Sequence, residues 1–321
     1  MNIRPLKPGE RAAYDELAAR HGTLFNRLDW LELFGGRMEI LGLFDEGGTL
    51  VGGASIYQER RMGLRIWRRA PFTPTCGPFL EPKARNPVAV VEERRAALEC
   101  LAEHISRESP ALCMLPLDRR IQDALPFFWR GFKVVPNTTY LLDLSATPEE
   151  MLQNMSAERR KNIGKAARDG LSVRAEPDLR VVRELVLGTF RRQEKHVDEP
   201  CLDAVLFRYA RPSNSFAFVT CRAGKPIAAC FVVHDGRTAY YLLGGYHAEE
   251  KHHGAGAAAL FAAIRQAKEL GLSTFDFEGS MIPAIERYFR GFGGRPTPYL
   301  TVNKAWLPVE FALKLWKRNV F

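Results

Sequence analysis

Two carboxylates stand two residues apart in Phe275-Asp276-Phe277-Glu278-Gly279, at the end of a run read as a strand over Thr274–Phe277. Side chains two apart on a strand share one face. Asp276 and Glu278 can therefore act together, one of them raised in pKa by burial and serving as general base toward an amine. Tyr288, in the short helix that follows, adds a phenol. Upstream, Lys251-His-His-Gly254-Ala255-Gly256 opens an Ala-rich helix. A Gly-rich turn at a helix N-terminus presents free backbone N–H groups to an anion. Lys251, Gly254, Ala255 and Gly256 thus form a candidate cradle for a phosphorylated donor. The same residues also fit a plainer reading, in which the glycines make a tight turn, Asp276 caps the turn after it and Tyr288 fills the core.

A second charged feature is Met155–Gly170, MSAERRKNIGKAARDG. Ser156 fits an N-cap and Gly170 a helix stop. Arg159, Arg160, Lys161 and Lys165 give the helix a cationic surface, with Ile163, Ala166 and Ala167 as its inner face. Basic residues on a helix grip phosphates, Arg in bidentate fashion. A solvated linker helix is the alternative.

These residues need a scaffold, and the chain outlines the same one twice. The first pass runs through strands at Glu39–Phe44, Leu50–Gln58 and Leu64–Trp67, a helix over Val88–Ile105, a strand at Leu112–Leu117, a short helix stopped by Gly131, and a strand at Thr139–Leu144. The second runs through strands at Ser215–Cys221, Ile227–Val233 and Ala239–Leu243, a helix over Gly256–Leu270, the Thr274–Phe277 strand, and a short helix ending at Gly291. Trp129-Arg-Gly-Phe132 and Phe289-Arg-Gly-Phe292 fall at matching places. Tandem copies of one mixed α/β unit follow from this self-similarity. The expected division is 1–147 and 148–321. The first copy has Cys76-Gly-Pro-Phe-Leu-Glu-Pro82 where the second has the Gly-rich turn, and proline removes backbone donors. The second copy is therefore expected to hold the donor, and the first to hold the acceptor or serve as scaffold.

Phe275–Gly279 followed by Phe289-Arg290-Gly-Phe-Gly-Gly294 resembles the closing motif of the Fem family, whose members add amino acids from aminoacyl-tRNA to peptidoglycan precursors. The Met155–Gly170 helix is similar to that family's basic helix between its domains. The resemblance implies two GNAT-like acyltransferase domains, each a central, mostly antiparallel sheet flanked by helices. It implies acceptor contacts from the basic helix and from Phe289 and Arg290. Lys251-x-x-Gly254-x-Gly256 resembles the acyl-CoA pyrophosphate loop of acetyltransferases, with Lys where Arg or Gln is usual. Tyr288 resembles the tyrosine that protonates a leaving thiolate there. In the Fem family this loop is generally not a working CoA site, so acyl-CoA and aminoacyl-tRNA both stay open as donors, with no tightly bound cofactor. The chain also departs from some Fem members in having no long charged heptad insert.

Composition bounds the partners. The chain has 321 residues and a formal net charge of +9, which favours polyanions: a nucleotide- or lipid-linked sugar, tRNA, or an anionic membrane surface. DNA is not expected. Six cysteines without a CxxC pair, and histidines remote from any ligand spacing, give no reason to expect a metal. The N-terminus lacks an apolar signal core and no apolar run is long enough to span a bilayer. A cytoplasmic protein is expected, with peripheral contact at the inner membrane as an option. The segment from Pro308 onward, with Phe311, Leu315 and Trp316 beside Lys314, Lys317 and Arg318, is a helix that rests either on a membrane or on the other domain. Three functions remain open. They are aminoacyl transfer to a cell-wall precursor, acyl-CoA-dependent N-acylation of an amino sugar or small amine, and non-catalytic binding of an anionic glycan or RNA.

Overall fold

In the computed structural model, which describes residues 1–247 and 249–316, local chain chemistry sets the element ends. The strands are β1 (Asn2–Pro5), β2 (Met38–Phe44), β3 (Leu50–Arg61), β4 (Leu64–Arg68), β5 (Phe79–Leu80), β6 (Leu112–Pro116), β7 (Lys133–Asp143), β8 (Ser172–Ala175), β9 (Ser215–Arg222), β10 (Lys225–His234), β11 (Thr238–Tyr246), β12 (Thr274–Asp276) and β13 (Arg295–Ala305). The helices are α1 (Arg11–His21), α2 (Leu28–Leu31), α3 (Pro87–Glu108), α4 (Leu125–Trp129), α5 (Pro148–Asn154), α6 (Ala157–Arg168), α7 (Leu179–Arg192), α8 (Glu199–Asp203), α9 (Ala255–Glu269), α10 (Pro283–Arg290) and α11 (Leu307–Trp316). Side-chain oxygens of Asn86, Thr147, Ser156 and Asp178 cap the helices that follow them, each satisfying a backbone donor that the first turn leaves free. Gly131, Gly170 and Gly271 end helices at positive φ, where a side chain would be strained.

The chain divides into two compact units, but not at residue 147. Unit 1 is Met1–Asn137 with Pro298–Phe321, and unit 2 is Thr138–Thr297. In unit 1, β1, β2, β3 and β4 pair antiparallel in succession, β4 pairs β6 in parallel, and β6 pairs β13 antiparallel, Thr301 facing Pro116 and Ala305 facing Leu112. In unit 2, β8, β9, β10 and β11 pair antiparallel, β11 pairs β12 in parallel, and β12 pairs β7 antiparallel, Asp276 facing Leu141. Each unit is thus a mostly antiparallel sheet with one parallel pair, flanked by helices.

The closing strands are exchanged between the repeats. β7 follows the first repeat and closes the sheet of unit 2; β13 follows the second and closes that of unit 1. The sequence boundary at 147 fails for this reason. Val302 of β13 is fully buried among Leu101, Cys113, Leu115 and Phe132 in the core of unit 1. Unit 2 has its own core, in which Tyr140 and Leu142 of β7 pack with Leu260, Ile264, Phe275, Phe277, Phe289 and Phe292. The chain segments 1–147 and 148–321, expressed separately, are each expected to be insoluble and to fold only when co-expressed. Recovery of a monomeric, cooperatively melting 1–147 fragment would show that β13 is dispensable to unit 1.

Candidate functional site

The candidate site lies in unit 2, where the parallel strands β11 and β12 part. They pair only through Thr238–Thr274, Ala239–Phe275 and Tyr240–Asp276. Beyond this point β11 runs on past β12 for six residues, Tyr241–Tyr246, paired only with β10 on its other side. At the parting the β10 register shifts, Phe231 facing Leu243 and Val232 facing Tyr241, so Leu242 is an extra, bulged residue. A bulge bends its strand and re-aims the neighbouring side chains.

The aromatic side chains here lie over glycines. A Cβ on Gly244 would be 1.8 Å from the Tyr241 hydroxyl, and one on Gly256 would be 1.7 Å from the Tyr246 hydroxyl. The Tyr246 and Tyr288 phenols influence one another, Tyr288 lowering the pKa of Tyr246 and Tyr246 raising that of Tyr288. Burial pushes all three phenols, Tyr241, Tyr246 and Tyr288, above the usual range, and the Arg159 guanidinium pulls Tyr246 and Tyr288 partly back. They stay neutral at physiological pH, so they can donate protons and hydrogen bonds but are not bases there. Tyr246 is held in place from α7, where the Thr189 hydroxyl accepts its backbone N–H at 2.8 Å.

Arg159 is the polar member of the cluster. It points inward, 5% exposed, with its guanidinium 4.7 Å from the Tyr288 ring centre. One terminal nitrogen donates to Glu158 at 2.5 Å, while the buried Nε has no partner. The space it occupies exists because residue 291 is glycine; a Cβ there would meet Arg159 Cγ at 2.8 Å. The Gly291 carbonyl also accepts the Ser156 N–H at 2.9 Å, and Ser156 caps α6. The two stretches singled out in sequence, Met155–Gly170 and Phe289–Gly294, therefore meet in one joint at Ser156, Arg159 and Gly291.

The structure redistributes the other expected residues. Asp276 is buried, accepting from the Thr139 hydroxyl at 2.5 Å and the Glu278 N–H at 2.9 Å. It caps the turn, as the plainer sequence reading had it. β12 stops at Asp276 and Glu278 has φ +60°, so the two carboxylates do not share a strand face. A non-glycine residue held left-handed is uncommon and concentrates at functional sites; the following Gly279 is at +60° too, with no room for a Cβ against the Thr138 carbonyl. Phe289 is core, packed on Tyr241 and Phe277. Arg290 is paired with Glu286 at 3.0 Å on α10. Arg160 donates to the carbonyls of Gln153 and Met155 and so caps α5. Lys165 is paired with Asp169; Lys161 is exposed. Of the expected inner face, Ala166 is buried and Ala167 is not. Arg159 and Arg160 are thus engaged in structural contacts, while Lys161 and Arg168 stay exposed on the helix surface.

The Gly-rich turn is likewise committed. A Cβ on Gly254 would stand 2.1 Å from the Asn162 carbonyl, so this glycine lets α9 close on α6. The Gly254 N–H donates to His252 Nδ1 at 3.1 Å and the Ala255 N–H to the His252 carbonyl at 3.2 Å. His252 Nε2 is 2.9 Å from Asp169. Bonds from Lys165 and His252 lower the Asp169 carboxyl to about 2. Gly254, Ala255 and Gly256 are buried, and Lys251 is exposed. Of the expected cradle, the Gly254 and Ala255 N–H groups face His252. Among the described residues no group of three or more metal-ligating side chains forms a site, and the six cysteines are free thiols.

Residues 157–290, which hold this site, match the family model described as an acetyltransferase (GNAT) domain. Unit 2 contains a GNAT acyltransferase domain. In GNAT terms, the chain's overall fold is Fem-like. It is similar to the crystal structure of FemX, with TM-score 0.66 and 13% identity, over 98% of this chain and 99% of that one. It is also similar to the C-terminal domain of a putative lysylphosphatidylglycerol synthetase from Agrobacterium fabrum, with TM-score 0.58 and 15% identity over 95% and 94%. A tandem GNAT protein from the clavulanic acid biosynthesis pathway gives TM-score 0.51 and 13% identity over 94% and 98%. No curated protein matches.

Sequence reasoning missed Tyr241, Tyr246 and His252. The run Tyr240-Tyr-Leu-Leu-Gly-Gly-Tyr246 carries the signal, because paired glycines inside a strand mark a bulge or a close approach. Gly256→Ala should cost ~1–3 kcal/mol by overpacking against Tyr246, read as a lower urea midpoint; an unchanged midpoint would contradict the packing role. Because the folded Asp169 pKa is depressed, its stabilisation is present above about pH 4 and lost as pH falls toward about 2. Asp169→Asn should therefore flatten the acid limb of the stability profile without changing its neutral plateau shape.

Proposed function

We propose that the protein transfers an aminoacyl group from an activated ester, of the aminoacyl-tRNA kind, to an amine on an anionic cell-envelope precursor. The carrying observation is the closed N-terminus of α9. The N–H groups of the N-cap Gly254 and of Ala255 are bonded to His252, and Gly254 and Gly256 pack against α6 and Tyr246. A pyrophosphate needs those donors free. This favours an ester donor over acyl-CoA, and the GNAT fold shared with FemX agrees with it.

The end of β11 suits the reacting carbonyl. The attacking amine adds to the carbonyl carbon, its extra proton is removed, and the ribose oxygen leaves with a proton. Tyr246 and Tyr288, both neutral, stabilise the developing oxyanion and supply the leaving oxygen's proton. Arg159 keeps the pair polarised from behind Tyr288. Glu278, turned out of the strand just past Asp276, accepts the amine proton. Much of the rate comes from holding amine and ester together.

Calorimetry with acetyl-CoA should show no saturable binding at millimolar donor, while radiolabelled aminoacyl-tRNA with nucleotide- or lipid-linked acceptors should give transfer. Tight acetyl-CoA binding, together with acetylation of an amine, would replace this reading with the CoA-dependent one. Tyr288→Phe should lower kcat by ~10²-fold or more with KM little changed. A wild-type rate in that variant would remove the phenol from the mechanism.

A further inference from the structure

Unit 1 carries an apolar surface that the transfer site does not use. The β3–β4 hairpin turns at Met62-Gly63, both at positive φ, 50° and 78°. Two-residue turns of this kind favour Asn or Gly at the first position. A bulky side chain there is strained, and Met62 is also 100% exposed. α11 shows a second such surface. Leu307, Phe311 and Leu315, spaced four apart, form one stripe and are 83%, 67% and 66% exposed.

The sheet places the two together. β4 runs parallel to β6 from Ile66–Leu112, and β13 runs antiparallel to it, ending at Ala305–Leu112. The hairpin tip and the root of α11 therefore lie at the same end of β6. Ala111 joins them, its N–H donating to the Arg65 carbonyl at 3.0 Å and its carbonyl accepting the Trp306 N–H at 3.1 Å. Trp306, half-exposed, holds its indole N–H on the Ser109 hydroxyl at 3.3 Å. Arg60 and Arg61 flank the tip and are exposed; Glu59, only 13% exposed in its side chain, pairs with both Arg68 and Arg61, the latter at 3.2 Å.

We propose that this end of unit 1 docks on an anionic lipid surface, with Met62 and the α11 stripe inserted among the acyl chains and the arginines at the headgroups. The pattern is that of an interfacial element, in which an apolar face and Trp meet the membrane beside basic residues. The chain's formal charge of +9 favours anionic lipid and disfavours a second, equally cationic copy as the occupant.

The test is co-sedimentation of the full-length protein with phosphatidylcholine vesicles, with and without about 30% phosphatidylglycerol. Binding is expected with the anionic lipid, weakened by salt. Phe311→Asp with Leu315→Asp should reduce it ~100-fold or more, since each residue contributes about a factor of ten or more by burial. Met62→Asp should reduce it on its own. Thermal melts check that the exposed-site variants fold. No binding to anionic vesicles, or binding unchanged in folded variants, overturns the proposal. So does a wild-type dimer that the same substitutions dissociate, which would make a second copy the occupant.

Discussion

A guanidinium held inside unit 2 is the constraint around which the site is arranged. Taking Arg159 out of water is costly unless its charge and donors are met. Glu158 takes one terminal nitrogen and the Tyr288 ring faces the cation. The remaining requirement is space, and Gly291 supplies it. From that follow the Ser156 cap, docked on the Gly291 carbonyl, and the direction of α6. Tyr288 then meets Tyr246, and Tyr246 lies over Gly256. A motif that reads as a substrate grip is in physical terms a socket for one charge.

The same economy governs the Gly-rich turn. Glycine before a helix serves phosphate binding and close helix packing equally well, because both need a backbone without Cβ. What distinguishes them is where the N–H groups go. Here His252, tethered by Asp169, occupies them. A histidine side chain sits where an anion-binding loop would leave donors open.

Much of the fold was legible because its signals are local. Helix-stopping glycines and the repeated Arg-Gly-Phe each sit where the structure uses them. β13 was not legible, since Pro296 and Pro298 argue against a paired strand, and its partner lies far away in sequence. The site was read less well. Period-two parity put Asp276 and Glu278 on one face, but the strand ends between them and Glu278 turns left-handed. Charge on α6 was visible; that Arg159 faces inward while Arg160 caps a neighbouring helix depends on tertiary contacts that spacing cannot encode. Tyr241 and Tyr246 looked like ordinary strand aromatics, because only the bulge at Leu242 marks them out.

The exchanged closing strands set an order of events during synthesis. Every strand of unit 2 has been made once residue 297 leaves the ribosome. Unit 1, though most of it precedes unit 2, can pair β6 with β4 alone and leaves the other β6 edge unpaired until Thr301–Ala305 emerges. Domains ordinarily fold in the order they are made. Here the first-made sheet is the last that can be finished, and until then the β6 edge stays open to whatever strand it meets. A nascent chain of this protein is therefore most exposed to mispairing in its oldest part.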